Sequence, residues 1–179
     1  SMKNNLRTLT IGIPAYNEEI NIGNLLKSIQ SQVYRTISLN HIIVICDGCT
    51  DRTVEIVKKI GYKDTRLQIM ESKVRSGKAE ALNKLYKESN TDYLMTIDAD
   101  VIFKGRSDIE IMAKVMSGNP KLKMVGPSHH PTKSHTLFGN FSRLSALIFF
   151  DAVYEFNKGN NFYSCMSVEF MRKSFYKSF

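Results

Sequence analysis

The sequence predicts an α/β domain, a mostly parallel sheet flanked by helices. Three observations predict it. Short apolar runs alternate with stretches of helical periodicity from one end of the chain to past residue 120, the pattern of βαβ units joined by right-handed crossovers. One run, Ile42-Ile43-Val44-Ile45, is apolar at every position, which marks a strand covered on both faces. The 179 residues are 42% hydrophobic and 23% charged, ordinary for a globular chain and enough for one sizeable core.

The elements follow in order. Leu9-Thr10-Ile11-Gly12-Ile13 is a strand, which Pro14 is expected to end because proline cannot donate to a ladder. Asn17 is the expected N-cap of a helix whose buried face carries Ile22, Leu25, Leu26, Ile29 and Val33. After the run at 42–45, a helix is expected from Thr50 or Asp51. It buries Val54, Val57 and Ile60 and stops at Gly61 as the C′ residue. A third strand spans about 66–70, and a third helix carries Ala79, Leu82, Leu85 and Tyr86. Tyr93-Leu94-Met95-Thr96-Ile97 makes a fourth strand, Ser107-Asp108-Ile109-Glu110 reads as a capping box opening a fourth helix, and Lys123-Met124-Val125-Gly126 a fifth strand. Beyond Pro127 the periodicity weakens. Residues 137–156 are apolar on nearly every face, a buried helix or a binding surface, and Arg143 and Asp151 leave the run too short for a membrane span. No linker rich in Pro, Gly or Ser divides the chain, so one domain over 1–179 is expected, with a βαβ core at 3–127.

Lys and Arg number 25 against 17 Asp and Glu, a basic balance that favours an anionic partner. The basic residues are scattered, and no RNA-recognition sheet motif, zinc finger or basic helix accompanies them, so nucleic acid is not an expected partner. Three cysteines, an odd number, argue against a disulfide framework and for a reducing, cytoplasmic compartment. Ser1-Met2 reads as a cloning remnant, and no apolar signal segment follows it. Cys46-Asp47-Gly48-Cys49 has the spacing of a redox pair, but Cys46 ends an apolar strand and no second such pair completes a zinc site. His129, His130 and His135 fit no standard metal spacing.

In a parallel sheet, ligands bind where strands give way to loops at the carboxyl edge. Here those ends deliver Pro14-Ala15-Tyr16-Asn17-Glu18 from the first strand, Asp47-Gly48 from the second and Asp98-Ala99-Asp100 from the fourth. In extended chain, Asp98 and Asp100 would point to the same side. Like charges about 4 Å apart repel by about 4 kcal/mol at an effective dielectric of 20. A hard divalent ion reverses that sign and bridges to a diphosphate. Asp47 is placed to accept from a base imide or ribose hydroxyls, or simply to cap its turn. Arg75-Ser76-Gly77-Lys78 opens the third helix, where backbone N–H groups and two cations suit a phosphate, unless the segment is only a basic surface turn.

Taken together and in order, these segments resemble family 2 glycosyltransferases, which have the GT-A (Rossmann-like) fold. Ile13-Pro14-Ala15-Tyr16-Asn17-Glu18-Glu19 is similar to the family's P-x-Y-N-E segment. Cys46-Asp47-Gly48-Cys49-Thr50-Asp51-Arg52-Thr53 is similar to its D-D-G-S-T-D-x-T loop. Gly77-Lys78-Ala79-Glu80-Ala81-Leu82-Asn83 matches G-K-x-x-A-L-N, and Asp98-Ala99-Asp100 matches D-x-D. The resemblance implies that Pro14, Ala15, Tyr16 and Glu18 line a nucleotide pocket and that Asp47 holds the base. It places Arg75, Gly77 and Lys78 near the diphosphate and Ala99 against the ligand. Asp98 would contact ribose or metal-bound phosphate, with Asp100 and Asp98 as ligands of Mg²⁺ or Mn²⁺. It implies a UDP- or GDP-linked sugar donor, transfer with inversion to a saccharide or lipid-linked acceptor hydroxyl, and a full-length parent on the cytoplasmic face of a membrane. Asp-Ala-Asp-Val looks more like the processive polysaccharide synthases than the dolichol-phosphate mannose synthases.

There are departures. Cys46 and Cys49 stand where the family usually has Asp and Ser. Residues 159–173 resemble the acceptor-side segment that precedes the family's catalytic acid pair, so 128–179 reads as the start of an acceptor-side region. The base is expected beyond Phe179, and neither Asp151 nor Glu169 matches its position. The expectation is therefore a fragment that binds a sugar nucleotide and transfers poorly or not at all. Two other readings stand beside it: a sugar-nucleotide pyrophosphorylase, which should open with a glycine-rich, Arg-containing loop instead of Pro14-Ala15-Tyr16, and a non-catalytic nucleotide-binding or interaction module.

Overall fold

The computed structural model describes residues 6–127 and 167–178, which, Pro127 apart, belong to one compact unit formed by Ser1–Gly126 together with Met166–Phe179. The histidine cluster, the apolar stretch at 137–156, Asp151 and Cys165 lie outside the described residues.

Six strands form one sheet in the order β3-β2-β1-β4-β6-β5. They are β1 (Arg7–Ala15), β2 (Ile37–Asp47), β3 (Leu67–Ser72), β4 (Tyr93–Ile97), β5 (Met124–Val125) and β6 (Val168–Arg172). The first four are mutually parallel, while β6 runs antiparallel to both β4 and β5. The expected strands are therefore joined by one that was not among them. Val168-Glu169-Phe170-Met171-Arg172 sits in the segment read as acceptor-side, and it separates β4 from β5. Its partners β4 and β5 lie far away in sequence, and periodicity does not report such a pairing.

Four helices cross between the strands, α1 (Ile22–Gln30), α2 (Thr53–Gly61), α3 (Lys78–Glu88) and α4 (Asp108–Gly118), and a short α5 (Lys173–Tyr176) follows β6. The uninterrupted apolar run of β2 is explained by both of its faces being covered. Ile42, Val44 and Cys46 join the main core with the buried residues of α1, α2 and α4, while Ile43 and Ile45 pack with Ala81 and Leu85 of α3. Gly12 lets α3 come down onto β1, since a Cβ there would lie 2.7 Å from Leu85 Cδ2. Leu85 is fully buried, a contribution of about 2 kcal/mol.

Several local expectations are corrected. Pro14 does not end β1, because the ladder to β4 stops at Gly12↔Thr96 while that to β2 continues to Ala15↔Cys46. Proline thus sits on a stretch paired on one side only. Helix α1 begins at Ile22 after Asn21, and Val33 lies beyond its end. Asn17 adopts φ +54° and caps nothing in α1. Helix α2 starts at Thr53 and includes Gly61, with Tyr62 as its C-cap. The capping box at 107–110 does not form, since Ser107 makes no side-chain cap bond.

Glu110 turns inward instead. Nearly fully buried, it accepts from the backbone N–H groups of Arg35 (3.0 Å) and Thr36 (3.2 Å). Burial pushes its carboxyl up, but those amides outweigh it and hold it below its usual value. Gln32, also buried, donates to Gly105 O (2.6 Å) and accepts from Ile109 N–H (3.2 Å). The start of α4 is thereby tied to the α1–β2 turn.

Candidate functional site

Four segments meet at the carboxyl edge of the parallel strands and enclose an open cleft of about 320 Å³. It is lined by Pro14, Ala15, Tyr16 and Glu18 after β1, Asp47 at the end of β2, Asp98, Ala99 and Asp100 after β4, and Arg75, Lys78 and Ala81 from α3 and its approach. Of the residues that the resemblance implied as donor-binding, all but Gly77 line the cleft; Gly77 is the N-cap of α3, at φ +95°. Ala81 lines it and was missed. The signal was available, since Ala81 lies three residues after Lys78 on the same helical face.

The two motif loops after β1 and β2 are held to each other by their own side chains. Thr50 N–H donates to Asn17 Oδ1 (2.8 Å), Glu18 N–H to Thr53 Oγ1 (2.7 Å) and Glu19 N–H to Asp51 Oδ2 (3.0 Å). The Thr53 hydroxyl donates to Asp51 Oδ1 (2.5 Å), and Cys49 Sγ lies 3.4 Å from Ala15 O. Asn17, Glu19, Asp51 and Thr53 therefore serve as a clasp, and none of them lines the cleft. Burial raises the Asp51 carboxyl, yet donors from Thr53 and Glu19 bring it below its ordinary value. The clasp leaves Glu18 facing the cleft, with its Oε2 accepting from Asn21 Nδ2 (2.9 Å).

Asp47 is only 5% exposed. Ser76 N–H donates to both of its oxygens (2.9 Å each) and Gly77 N–H to Oδ2 (2.7 Å). Burial raises its carboxyl, and these backbone donors, with Lys84 nearby, more than reverse that. The expectation that the amides opening α3 are available to a phosphate is corrected at these two positions: an internal carboxylate already takes them. Gly48 makes this docking possible. It sits at φ +71°, and a Cβ would lie 2.7 Å from Arg75 N.

The two basic residues of the cleft each rest on its opposite wall. The Arg75 guanidinium lies 3.9 Å from the centroid of the Tyr16 ring, a cation–π stack. Lys78 Nζ lies 2.6 Å from Asp98 Oδ1. The aspartates are not on extended chain, as the i, i+2 argument supposed. They occupy a turn in which Val101 N–H donates to Asp98 O (3.2 Å), and Asp98 N–H is anchored on Ser167 O at the entry to β6 (2.8 Å). The turn nevertheless brings both to the cleft while burying Ala99.

Among the described residues, no group of three or more His, Cys, Asp or Glu side chains forms a metal cage. Asp98 and Asp100 supply two carboxylates at one cleft, a donor set that fits Mg²⁺ or Mn²⁺ when diphosphate oxygens and water complete the shell. The redox reading of Cys46 and Cys49 finds no support in the thiol chemistry. Cys46 is buried, and burial first, then the neighbouring Cys49, pushes its thiol up to about 12, far from an activated thiolate.

A twisted, mostly parallel sheet with helices on both faces and a carboxylate-rimmed crevice where β1, β2 and β4 end defines a GT-A fold. The chain belongs to glycosyl transferase family 2, whose family model matches residues 10–179. A poly-β-1,6-N-acetyl-D-glucosamine synthase of Staphylococcus epidermidis is 32% identical over 113 residues, 63% of this chain and 26% of that protein. The mannosyltransferase PcManGT from Pyrobaculum calidifontis, solved with GDP-Man and Mn²⁺, superposes with a TM-score of 0.65 at 26% identity, over 70% of this chain and 36% of its own. Glucosyl-3-phosphoglycerate synthase from Mycobacterium tuberculosis was solved with Mn²⁺, UDP and glucosyl-3-phosphoglycerate. It matches with a TM-score of 0.63 over 94% of this chain and 57% of its own, and at 22% identity it speaks to fold alone. The chain spans about a quarter to just over a third of the length of the curated relatives it matches. Among the described residues, no helix is long and apolar enough to cross a membrane.

Proposed function

We propose that this chain is the donor-binding part of an inverting glycosyltransferase that takes a UDP- or GDP-linked sugar with Mg²⁺ or Mn²⁺ and serves a saccharide or lipid-linked acceptor, in the manner of the polysaccharide synthases. The observation that carries the reading is the convergence of three strand-end loops and the start of α3 on one cleft, with four carboxylates and two cations in its lining.

Each residue then has a task. Tyr16 and Arg75, already stacked at 3.9 Å, form a flat, cationic wall against which a base or ribose rests. Asp47 holds the 75–77 segment in place through Ser76 and Gly77, and its remaining lone pair is open to a base imide. Pro14, Ala15 and Ala99 keep the floor low, so a ligand approaches the backbone. Glu18, fixed by Asn21, is placed for a ribose or sugar hydroxyl. Asp98 and Asp100 would hold the divalent ion, whose Lewis acidity would supply charge neutralisation for a departing nucleoside diphosphate. Lys78 shares in that task as a positioned cation. The general base for the acceptor is assigned to no residue of this cleft.

Titration calorimetry with UDP, GDP, UDP-GlcNAc and GDP-Man, with and without Mn²⁺, tests the reading. Expected is binding of one nucleotide class that strengthens at least tenfold with Mn²⁺ and loses that gain in Asp100→Asn. No binding of any nucleotide would favour an interaction module, and pyrophosphate exchange would favour a pyrophosphorylase.

A further inference from the structure

Within the cleft, Asp98 is already engaged by a basic side chain. Lys78 Nζ lies 2.6 Å from its Oδ1, with the lysine side chain 51% exposed and the aspartate 29% exposed. The contact spans two elements that the fold alone brings together, the first residue of α3 and the turn after β4. Lys78 is thus a cation seated on one of the two carboxylates that would receive a metal. The other basic residue of the cleft, Arg75, is held by Tyr16 instead. The lining carries four carboxylates against these two cations, a formal excess of two negative charges, which by itself repels a diphosphate.

We propose that Lys78 is a displaceable counter-ion that couples metal entry to donor entry. Without nucleotide, its ammonium competes with a divalent cation for Asp98. A diphosphate carries two or more negative charges against the single charge of Asp98; Lys78 moves to its oxygens and leaves Asp98 open. The half-exposed, flexible lysine stem allows that move, while the turn that carries Asp98, anchored on Ser167 O, stays fixed. Metal and nucleotide then bind with positive coupling, and by linkage each tightens the other by the same factor. The inference rests on the donor-binding reading for its second half; the competition between Lys78 and the cation does not.

The test is Mn²⁺ affinity by electron paramagnetic resonance of the free ion, on the full chain, without nucleotide and with UDP or GDP. Lys78→Met is expected to bind Mn²⁺ more tightly without nucleotide, by about two- to fivefold, the upper range for release of a partly exposed ion pair. It should bind more weakly whichever of UDP and GDP the wild type binds, and the coupling factor between metal and nucleotide should fall towards one. Lys78→Arg should restore wild-type Mn²⁺ affinity. In an Asp98→Asn background, Lys78→Met should change Mn²⁺ affinity by less than twofold. An unchanged or weaker Mn²⁺ affinity in Lys78→Met, with its melting temperature intact, would overturn the proposal. Tighter Mn²⁺ binding in Lys78→Met with neither UDP nor GDP binding to any variant would support the counter-ion and sink the donor-binding reading, so the two failures are distinguishable.

Discussion

Replacing Asp47 with asparagine keeps the size of the side chain and removes its charge, at a site where almost no water can compensate. Ser76 N–H donates to both carboxylate oxygens, so either orientation of the new amide sets an NH₂ group against that donor. Gly77 N–H keeps an acceptor in only one of the two orientations. Hydrogen bonds to a charged acceptor contribute about 1.5–3 kcal/mol each. Losing one and weakening the other should cost about 3 kcal/mol, a fall in melting temperature of about 6–12 °C for a chain of this size. The pH dependence has a definite sign. The folded Asp47 carboxyl lies below its ordinary value, so its contribution is fully present above the unfolded pKa of about 3.9 and is lost as pH falls through the folded value. Urea unfolding of both proteins from pH 8 to pH 3 should give a constant gap down to about pH 5 that narrows below pH 4. The other depressed carboxylates are common to both proteins and cancel in the difference. A gap under about 0.5 kcal/mol at pH 7, or one that widens on acidification, would refute the structural role of Asp47.

Two further outcomes follow from the same geometry. Gly48→Ala places a Cβ 2.7 Å from Arg75 N at φ +71°; it should lower the melting temperature by several degrees and, by displacing Arg75 from Tyr16, weaken nucleotide binding about tenfold by calorimetry. Brief alkylation of the native protein at pH 8, followed by peptide mass spectrometry, should modify the partly exposed Cys49 well before the buried Cys46, whose thiol is pushed up to about 12, whereas denatured protein should lose that selectivity.

Much of this molecule was written into local sequence. The apolar run at 42–45 announces a strand with both faces covered because β2 lies inside the sheet, between β1 and β3, with α3 on one face and the main core on the other. The carboxylates at strand ends were legible because parallel strands all deliver their last residues to one edge, and Asp47, Asp98 and Asp100 do line one cleft. What sequence could not decide was where each polar side chain finds its partner. Glu110 fits a capping box on spacing alone, but two amides 75 and 74 residues away claim it. Ser76 and Gly77 read as phosphate donors until the docking of Gly48 against Arg75 brings Asp47 to them. Strand β6 fills the place beside β4 from far along the chain and anchors the aspartate turn through Ser167. Periodicity reports which face a segment buries; hydrogen bonds and ion pairs are settled by which segments the chain folds side by side, and here that included the pairing of Lys78 with Asp98.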